Sequence, residues 1–260
     1  MPEELRRDAE LLLSHLLSVK PWELYFLNEL PREVLARFNE LLRRRLEGQP
    51  LAYLIGEWDC MGRTFKLEPG VLVPRPETEL LIEKVLERIK DEPLTGLEIG
   101  VGSGCIAVNL LLERPGLKVT GVDVSEKALR VAALNAERHG VTGRLKLLKG
   151  DLYRPVEGQR FDFIVSNPPY LPEAAWPELP PEVRAEDKTA LVAGRKGTEV
   201  IERIVRGAPE HLKRGGWLFL EIGHDQGAFV EELLRRAGFT EVNIFKDYAG
   251  QDRVAVAQWS

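Results

Sequence analysis

The sequence predicts an α/β protein in which a mostly parallel, doubly wound sheet follows a small helical domain. From residue 94 onward, short apolar runs alternate with amphipathic segments of helical periodicity. Such alternation is typical of βαβ units, whose parallel strands are covered by helices on both faces. A glycine-rich turn also separates the first of these strands from the helix that follows it.

Residues 1–48 are predicted to form a small N-terminal helical bundle. Leucines recur at helical spacing from Leu5 to Leu17, and Pro21 and Pro31 can each open a new helix at its first position. This region offers either an interaction surface or a stabilising appendage, and its sequence alone leaves both open.

Residues 49–75 are predicted to form a β-hairpin linker. The stretches LAYLIGEWD and RTFKLEPGVLV are rich in strand-forming residues, and Cys60, Met61 and Gly62 between them indicate a turn. The third region, residues 76–260, begins with a helix that has Pro76 near its first turn.

Seven strands are predicted in this third region, with an antiparallel strand near the C-terminus. They are Leu94–Ile99, Lys118–Val122, Leu145–Lys149, Phe161–Val165, Trp217–Ile222, Val242–Lys246 and Arg253–Gln258. The predicted helices between them are Ile106–Glu113, Glu126–His139 and Gln226–Ala237. Residues 171–197 are predicted as a long loop, and a loop of that length is usually functional.

The composition of the chain disfavours several classes of function. The net charge of −5 supplies no broad basic surface for a nucleic-acid backbone. The two cysteines give no disulfide framework, and the four histidines lack zinc-ligand spacing, so no metal site is predicted. The charged N-terminus is unlike a signal peptide, and no apolar run approaches the length of a membrane span. We therefore expect a cytoplasmic protein.

The glycine-rich turn favours a nucleoside cofactor. Its pattern is G-x-G-x-G, with Cys105 where a dinucleotide fingerprint needs glycine or alanine. This favours S-adenosyl-L-methionine, which has no pyrophosphate to seat at the helix N-terminus, over NAD. The candidate cofactor residues in this turn are Gly100, Val101, Gly102, Ser103 and Gly104.

Acidic residues at the ends of neighbouring strands extend this site. Asp123 ends the second strand, where a carboxylate can accept hydrogen bonds from both ribose hydroxyls, and Val124 follows it. Asp151 ends the third strand and can accept from an adenine amino group, while the backbone of Leu152 can meet a ring nitrogen. Glu98 is near enough in sequence to face the ammonium group of the cofactor.

The tetrapeptide Asn167-Pro168-Pro169-Tyr170 follows the fourth strand and is the candidate catalytic site. The side-chain oxygen of Asn167 and the carbonyl of Pro168 can both accept from a planar NH₂ group, which would orient its nitrogen toward a methyl donor. Tyr170 is either an aromatic wall for a flat group or a core aromatic. On position alone, the tetrapeptide could also be a simple turn.

The motifs together resemble the PrmC/HemK family. They are RPETELL (75–81), EIGVGSG (98–104), VDVS (122–125), GDL (150–152), SNPPY (166–170), TALVAG (189–194) and the C-terminal EIG and DYAGQDRV. The resemblance covers residues 50–260 by motif. It implies a Rossmann-like class I methyltransferase fold and S-adenosyl-L-methionine as methyl donor, with S-adenosyl-L-homocysteine as product.

The resemblance also implies a substrate and residue roles. The substrate would be the side-chain amide of the glutamine in the Gly-Gly-Gln motif of class 1 peptide chain release factors. Residues 100–104, Asp123, Leu152 and Asn167 would contact the cofactor, residues 167–170 would hold the glutamine, and the helical domain would help to dock the release factor. The sequence departs from the family at Ala185, Glu186 and Asp187, within the loop 171–197.

Other functions are compatible with the same tetrapeptide. Adenine presents a similar planar NH₂, so a DNA adenine-N6 methyltransferase is an alternative, as is an enzyme for ribosomal RNA or a ribosomal protein. A non-catalytic cofactor-binding module is a further alternative. The acidic net charge disfavours sequence-specific nucleic-acid binding. We expect a monomer with no membrane partner.

Overall fold

The computed structural model describes residues 3–260, so the first two residues of the predicted N-terminal region lie outside it. Ten α-helices lie in the described residues. They are α1 (Glu3–Leu17), α2 (Arg32–Leu46), α3 (Leu51–Ile55), α4 (Pro76–Arg88), α5 (Cys105–Glu113), α6 (Glu126–Arg138), α7 (Pro181–Arg184), α8 (Lys188–Leu191), α9 (Glu199–His211) and α10 (Gly227–Arg236). No helix in this part of the chain is long and apolar enough to span a membrane.

The same residues form eleven strands. They are β1 (Glu57–Cys60), β2 (Arg63–Lys66), β3 (Thr95–Ile99), β4 (Lys118–Asp123), β5 (Leu145–Lys149), β6 (Phe161–Ser166), β7 (Leu171–Pro172), β8 (Val192–Gly194), β9 (Leu212–Glu221), β10 (Thr240–Lys246) and β11 (Asp252–Gln258).

Seven of these strands form one sheet in the order β10-β11-β9-β6-β3-β4-β5. The pairs from β9 to β5 are parallel, whereas β11 runs antiparallel to both β9 and β10. The predicted Rossmann-like sheet, with its antiparallel strand near the C-terminus, is therefore confirmed. The strand order reverses between β3 and β6, which creates a crevice at the carboxyl ends of these two strands.

Two apolar layers cover the faces of the sheet. One contains buried side chains of α4, α5 and α6, and the other contains those of α9 and α10. Along β9, Phe219 packs into the first layer, and Leu218 and Leu220 pack into the second. This alternation follows from the two-residue period of a strand, and both faces are apolar because both are covered.

The linker differs from its prediction in one half. The β1–β2 hairpin forms as expected, and its turn places Met61 and Gly62 at positive φ, 53° and 69°. However, Leu51–Ile55 is a short helix rather than a strand, and it ends at Gly56 with φ 82°. Leu51 and Leu54 of this helix are buried with Leu12 of α1 and Leu41 of α2, so these side chains belong to the core of the N-terminal helices.

The sequence-based expectation for the cysteines is wrong in this structure. Cys60 at the end of β1 and Cys105 at the start of α5 form a disulfide, with their Cα atoms 6.6 Å apart. The two residues are 45 positions apart, and only the packing of the hairpin against α5 brings them together. The disulfide therefore links the linker hairpin to the helix that follows the glycine-rich turn.

Residues 171–197 contain more structure than the predicted loop. The short strands β7 and β8 pair in parallel, and α7 and α8 lie between them. The sequence-based prediction also omitted α9, a 13-residue helix that directly follows this segment. Its face of Ile201, Ile204, Val205 and Ala208 is fully buried against the sheet.

Candidate active site

The glycine-rich turn opens the site at the end of β3. Gly100, Gly102 and Gly104 all have positive φ, at 76°, 53° and 82°. A side chain at these positions would be strained, so the glycines are required by the backbone conformation. A Cβ placed on Gly102 would meet no atom within 4 Å, so the backbone of this residue faces open space.

Asp123 is held beside this turn at the end of β4. Its carboxylate accepts hydrogen bonds from the backbone N–H of Gly102 and of Ser125, each at 2.9 Å. Burial raises the pKa of Asp123, while these N–H donors act in the opposite direction. The carboxylate is thus fixed in position, and a carboxylate has further lone pairs with which to accept from a ligand.

The first cavity lies between β3, β4 and β6 and has a volume of about 190 Å³. Nine of the sequence-predicted site residues line it: Gly100, Gly102, Asp123, Val124, Asp151, Leu152, Asn167, Pro168 and Pro169. The structure therefore brings together residues from four strand ends that are up to 69 positions apart, between Gly100 and Pro169. A larger depression of about 460 Å³ lies at the opposite edge of the sheet, around the amino ends of β3 and β4, where α/β folds do not bind their ligands.

Four predicted cofactor residues support this cavity without lining it. Val101 is buried against Gly121, whose missing side chain leaves room for it. Ser103 is buried, and its carbonyl accepts from the side chain of Asn135 at 2.8 Å. A Cβ on Gly104 would lie 3.3 Å from Ala132, so this glycine allows α6 to pack closely. The fourth is Glu98.

Glu98 points into the protein rather than into the cavity. Its side chain is 1% exposed, and Oε2 accepts from the backbone N–H of Ala107 in the first turn of α5 at 2.9 Å. Burial raises the pKa of Glu98 well above its usual value. The predicted contact with the ammonium group of a cofactor would require this side chain to turn away from α5.

Unlike the buried Glu98, Asp151 lies at the partly exposed rim of the first cavity. Its carboxylate pairs with Arg203 of α9 at 2.5 Å, and both side chains are about half exposed. The next residue, Leu152, has a positive φ of 50°, which is unusual for a leucine. Arg203 also lines the cavity, and no sequence pattern indicated it because α9 was not predicted.

A second cavity of about 210 Å³ adjoins the first. It is lined by Leu72, Arg75, Asn167, Pro168, Pro169, Tyr170, Leu171, Val183, Ala190, Leu191 and Glu221. Residues 167–169, Leu72 and Ala190 line both cavities, so the two spaces meet at the Asn-Pro-Pro segment. One ligand on each side would thus face the same three residues.

Side chains from three elements converge at this meeting point. Asn167 Nδ2 donates to Thr78 Oγ1 at 3.3 Å, and Thr78 Oγ1 donates to Glu221 Oε2 at 2.9 Å. The Tyr170 hydroxyl donates to Glu221 Oε1 at 3.2 Å. Tyr170 also packs against the apolar layer of α9 and α10, so it is at once a cavity wall and a partly buried aromatic. Neither Thr78 nor Glu221 was predicted.

The segment 171–197 lines both cavities and is fixed at several points. Gln226 Nε2 donates to the carbonyls of Tyr170 and Gly197 at 3.0 and 3.1 Å, so one buried side chain holds both ends. In the middle, Glu186 accepts from the backbone N–H of Val73 at 3.0 Å and pairs with Arg75. Burial raises the pKa of Glu186, and Arg75 counteracts that effect.

Residues of this segment contribute to the first cavity as well. Asp187, Thr189 and Ala190 line it, and the Asp187 carboxylate caps α8 by accepting from the Thr189 N–H at 2.9 Å. Gly70, Val71 and Leu72 of the linker line it from the other side. None of these residues was among the predicted site residues, although Thr189 and Ala190 belong to the motif TALVAG (189–194).

Fold and site together define a class I methyltransferase. The turn and strand-end carboxylate fit a nucleoside cofactor, and the model of a methyltransferase small domain matches residues 74–177. A structure of a ribosomal protein L11 methylase from Lactobacillus delbrueckii subsp. bulgaricus is 23% identical, with a TM-score of 0.54 over 75% of this chain and 84% of that one. A Thermus thermophilus 16S rRNA N2 G1207 methyltransferase in complex with AdoMet and guanosine is also 23% identical, with a TM-score of 0.58 over 78% of this chain and 50% of that one.

The sequence comparisons identify the family within the class I methyltransferases. A PrmC N-terminal domain model matches residues 2–56. A release factor glutamine methyltransferase from Aquifex aeolicus is 52% identical, with 99% of this chain and 92% of that protein covered. One from Cereibacter sphaeroides is 43% identical over 98% and 92%. The chain belongs to the release factor glutamine methyltransferase family, and the resemblance predicted from its motifs is confirmed.

Proposed function

We propose that this protein transfers a methyl group from S-adenosyl-L-methionine to the side-chain amide nitrogen of the glutamine in the Gly-Gly-Gln motif of a class 1 peptide chain release factor. The relatives described above are named release factor glutamine methyltransferases, and they match nearly the whole chain. The observation that carries the proposal is the meeting of two cavities at Asn167, Pro168 and Pro169.

In this proposal the cofactor lies in the first cavity. The backbone of Gly100 and Gly102 would approach it closely, and the fixed carboxylate of Asp123 would accept from its ribose hydroxyls. Asp151 and Leu152 would contact the adenine at the rim. When bound, the cofactor supplies an electrophilic methyl group on a positively charged sulfur.

The glutamine side chain lies in the second cavity. Asn167 Oδ1 and the carbonyl of Pro168 would accept the two N–H bonds of its amide, which would aim the nitrogen at the first cavity. An amide nitrogen is a weak nucleophile because its lone pair is delocalised, and two acceptors on its hydrogens return electron density to it. The protein thus contributes alignment and preorganised acceptors. Tyr170 would contact the flat amide group.

Docking of the protein substrate is assigned to the N-terminal helices. Trp22, Tyr25 and Phe26 form an exposed aromatic cluster on the 3₁₀ turn between α1 and α2, each more than half exposed. We further propose that the protein acts as a monomer in the cytoplasm, without sequence-specific nucleic-acid or membrane binding.

The test is a transfer assay with methyl-labelled S-adenosyl-L-methionine. Purified release factor, duplex DNA and ribosomal RNA are offered in separate reactions. We expect label on the release factor alone, and none on a release factor in which the glutamine is replaced by alanine. Label on DNA or RNA with none on the release factor would refute the proposed substrate. Removal of residues 1–48 is expected to weaken release-factor binding.

A further inference from the structure

We propose that Thr78 and Glu221 are positioning residues that set which way the side-chain amide of Asn167 faces. This inference rests on the proposed function, because it concerns how Asn167 receives a planar NH₂ group. Neither residue lies in the tetrapeptide, and Glu221 is 143 positions from Thr78 in the sequence.

The side-chain amide of an asparagine needs positioning residues to fix its orientation. Its oxygen and NH₂ group have nearly the same size and shape, so packing alone does not choose between its two orientations. Only one orientation offers an oxygen to the N–H groups of a substrate amide. The other would turn the NH₂ group of Asn167 toward an N–H of the substrate amide, where two donors repel each other.

The hydrogen bonds of Thr78 select one orientation of the Asn167 side-chain amide. An ionised Glu221 can only accept, so the single hydroxyl hydrogen of Thr78 is directed to Glu221 Oε2 at 2.9 Å. The oxygen of Thr78 is then left with lone pairs alone, and it can only accept from Asn167 Nδ2 at 3.3 Å. Oδ1 of Asn167 consequently faces away from Thr78.

Glu221 is itself held in place. Thr78 is 3% exposed and Glu221 is 1% exposed, so no bulk solvent competes for these bonds. The second carboxylate oxygen accepts from the Tyr170 hydroxyl at 3.2 Å. Glu221 therefore holds both ends of the tetrapeptide by hydrogen bonds, Tyr170 directly and Asn167 through Thr78.

The charge of Glu221 gives this device a pH dependence. Burial raises its pKa to about 7, and the Thr78 and Tyr170 hydroxyls act in the opposite direction. Of the ionisable groups around it, Arg253 of β11 lowers the pKa and Glu77 of α4 raises it, while Arg75 lines the same cavity. A protonated Glu221 can donate to Thr78, which frees the threonine hydroxyl to donate to Asn167 Oδ1 and reverses the orientation of the amide.

The experiment compares two substitutions at one position, with wild type, in the transfer assay. Thr78→Val removes the hydroxyl at constant shape, and we expect kcat to fall about 10-fold, as for the loss of one net hydrogen bond that holds Asn167 in place. The KM for the release factor and the cofactor Kd from calorimetry should change less than about threefold, because the contact acts on orientation. Thr78→Ser keeps the hydroxyl and should restore kcat to within about threefold of wild type.

Thr64→Val is the matched control. Thr64 Oγ1 donates to the Asp59 carboxylate at 2.9 Å on the exposed hairpin, so this variant loses an equivalent bond outside the site. Its kcat should equal that of wild type. Equal kcat for Thr78→Val and wild type would overturn the inference, and so would failure of Thr78→Ser to recover activity in a protein that unfolds at the wild-type temperature.

A pH profile gives a second, independent readout. The kcat of wild type should rise through an inflection near pH 7, and Glu221→Gln should remove this inflection because its side chain does not titrate. A wild-type profile without an inflection, or an unchanged inflection in Glu221→Gln, would contradict the inference. If the wild type instead methylates DNA or RNA, the proposed substrate fails, and the Thr78 variants are then compared on that substrate.

Discussion

The two halves of the active site are built in different ways. The first cavity is shaped largely by backbone, through Gly100 and Gly102 with positive φ and an aspartate held by two N–H groups. The second is governed by side chains from distant parts of the chain, among them Thr78, Tyr170 and Glu221. The first cavity thus depends chiefly on backbone conformation at the ends of neighbouring strands, whereas the second depends on side-chain contacts between elements that are far apart in the sequence.

The largest effect should come from the residue that both halves share. Asn167→Ala removes the acceptor for the substrate amide, and we expect transfer to fall at least about 1,000-fold. The cofactor Kd, measured by calorimetry, should rise less than about tenfold because most of the first cavity remains. Asn243→Ala, an exposed position on β10, is the control. A loss of cofactor binding as large as the loss of transfer would mean that the two halves are not separable.

The next effect belongs to the first cavity alone. Asp123→Asn should raise the cofactor Kd about 30-fold, because the amide replaces an acceptor with a donor that faces the Gly102 or Ser125 N–H. At saturating cofactor, kcat should remain within about threefold of wild type. A variant whose kcat falls while the Kd stays constant would assign Asp123 to the chemistry instead.

A smaller effect concerns the free energy of unfolding, which depends on pH through the buried Glu221 of the second cavity. Because the pKa of Glu221 is raised by folding from 4.5 to about 7, the folded state retains a proton that the unfolded state has lost in this interval. The free energy of unfolding should therefore fall from pH 5 to pH 7, by up to about 1.4 kcal/mol per pH unit from this group. Glu221→Gln should show a shallower fall in urea denaturation at each pH. Parallel curves for the two proteins would contradict this.

The smallest effect is expected at the rim of the first cavity. Asp151 is about half exposed and paired with Arg203, so it is already screened by solvent and by a cation. Asp151→Ala should raise the cofactor Kd no more than about fivefold in the same calorimetric titration. A larger loss than that of Asp123→Asn would reverse the ranking of the two carboxylates.

The sequence predicted the elements whose signal is local. The strand Leu145–Lys149 was predicted with the observed bounds, and the other strands of the main sheet are confirmed with shifted ends. The helix Leu51–Ile55 was missed because five residues are too few to separate helical from strand periodicity. The helix Glu199–His211 contains Gly207 and Pro209, which usually end helices, yet its buried face stabilises it.

The active site could also be predicted only where its residues have a local signal in the sequence. Glycines and strand-end carboxylates carry a recognisable spacing, so most of the first cavity could be predicted. The pairing of Thr78 with Glu221, or of Cys60 with Cys105, depends on how elements pack across the fold. No spacing in the chain encodes such contacts. Glu98 is close in sequence to the turn, yet its side chain bonds the Ala107 N–H and does not line the cavity.

The anchoring of residues 171–197 by Gln226 has a consequence for how this protein could diverge. Because one side chain fixes the carbonyls of Tyr170 and Gly197, the two ends of the segment stay together whatever lies between them. Between these ends the segment lines both cavities, through Asp187 on the first and Val183 on the second. Changes of sequence within it would therefore alter the walls of both cavities, while the sheet and the tetrapeptide keep their places.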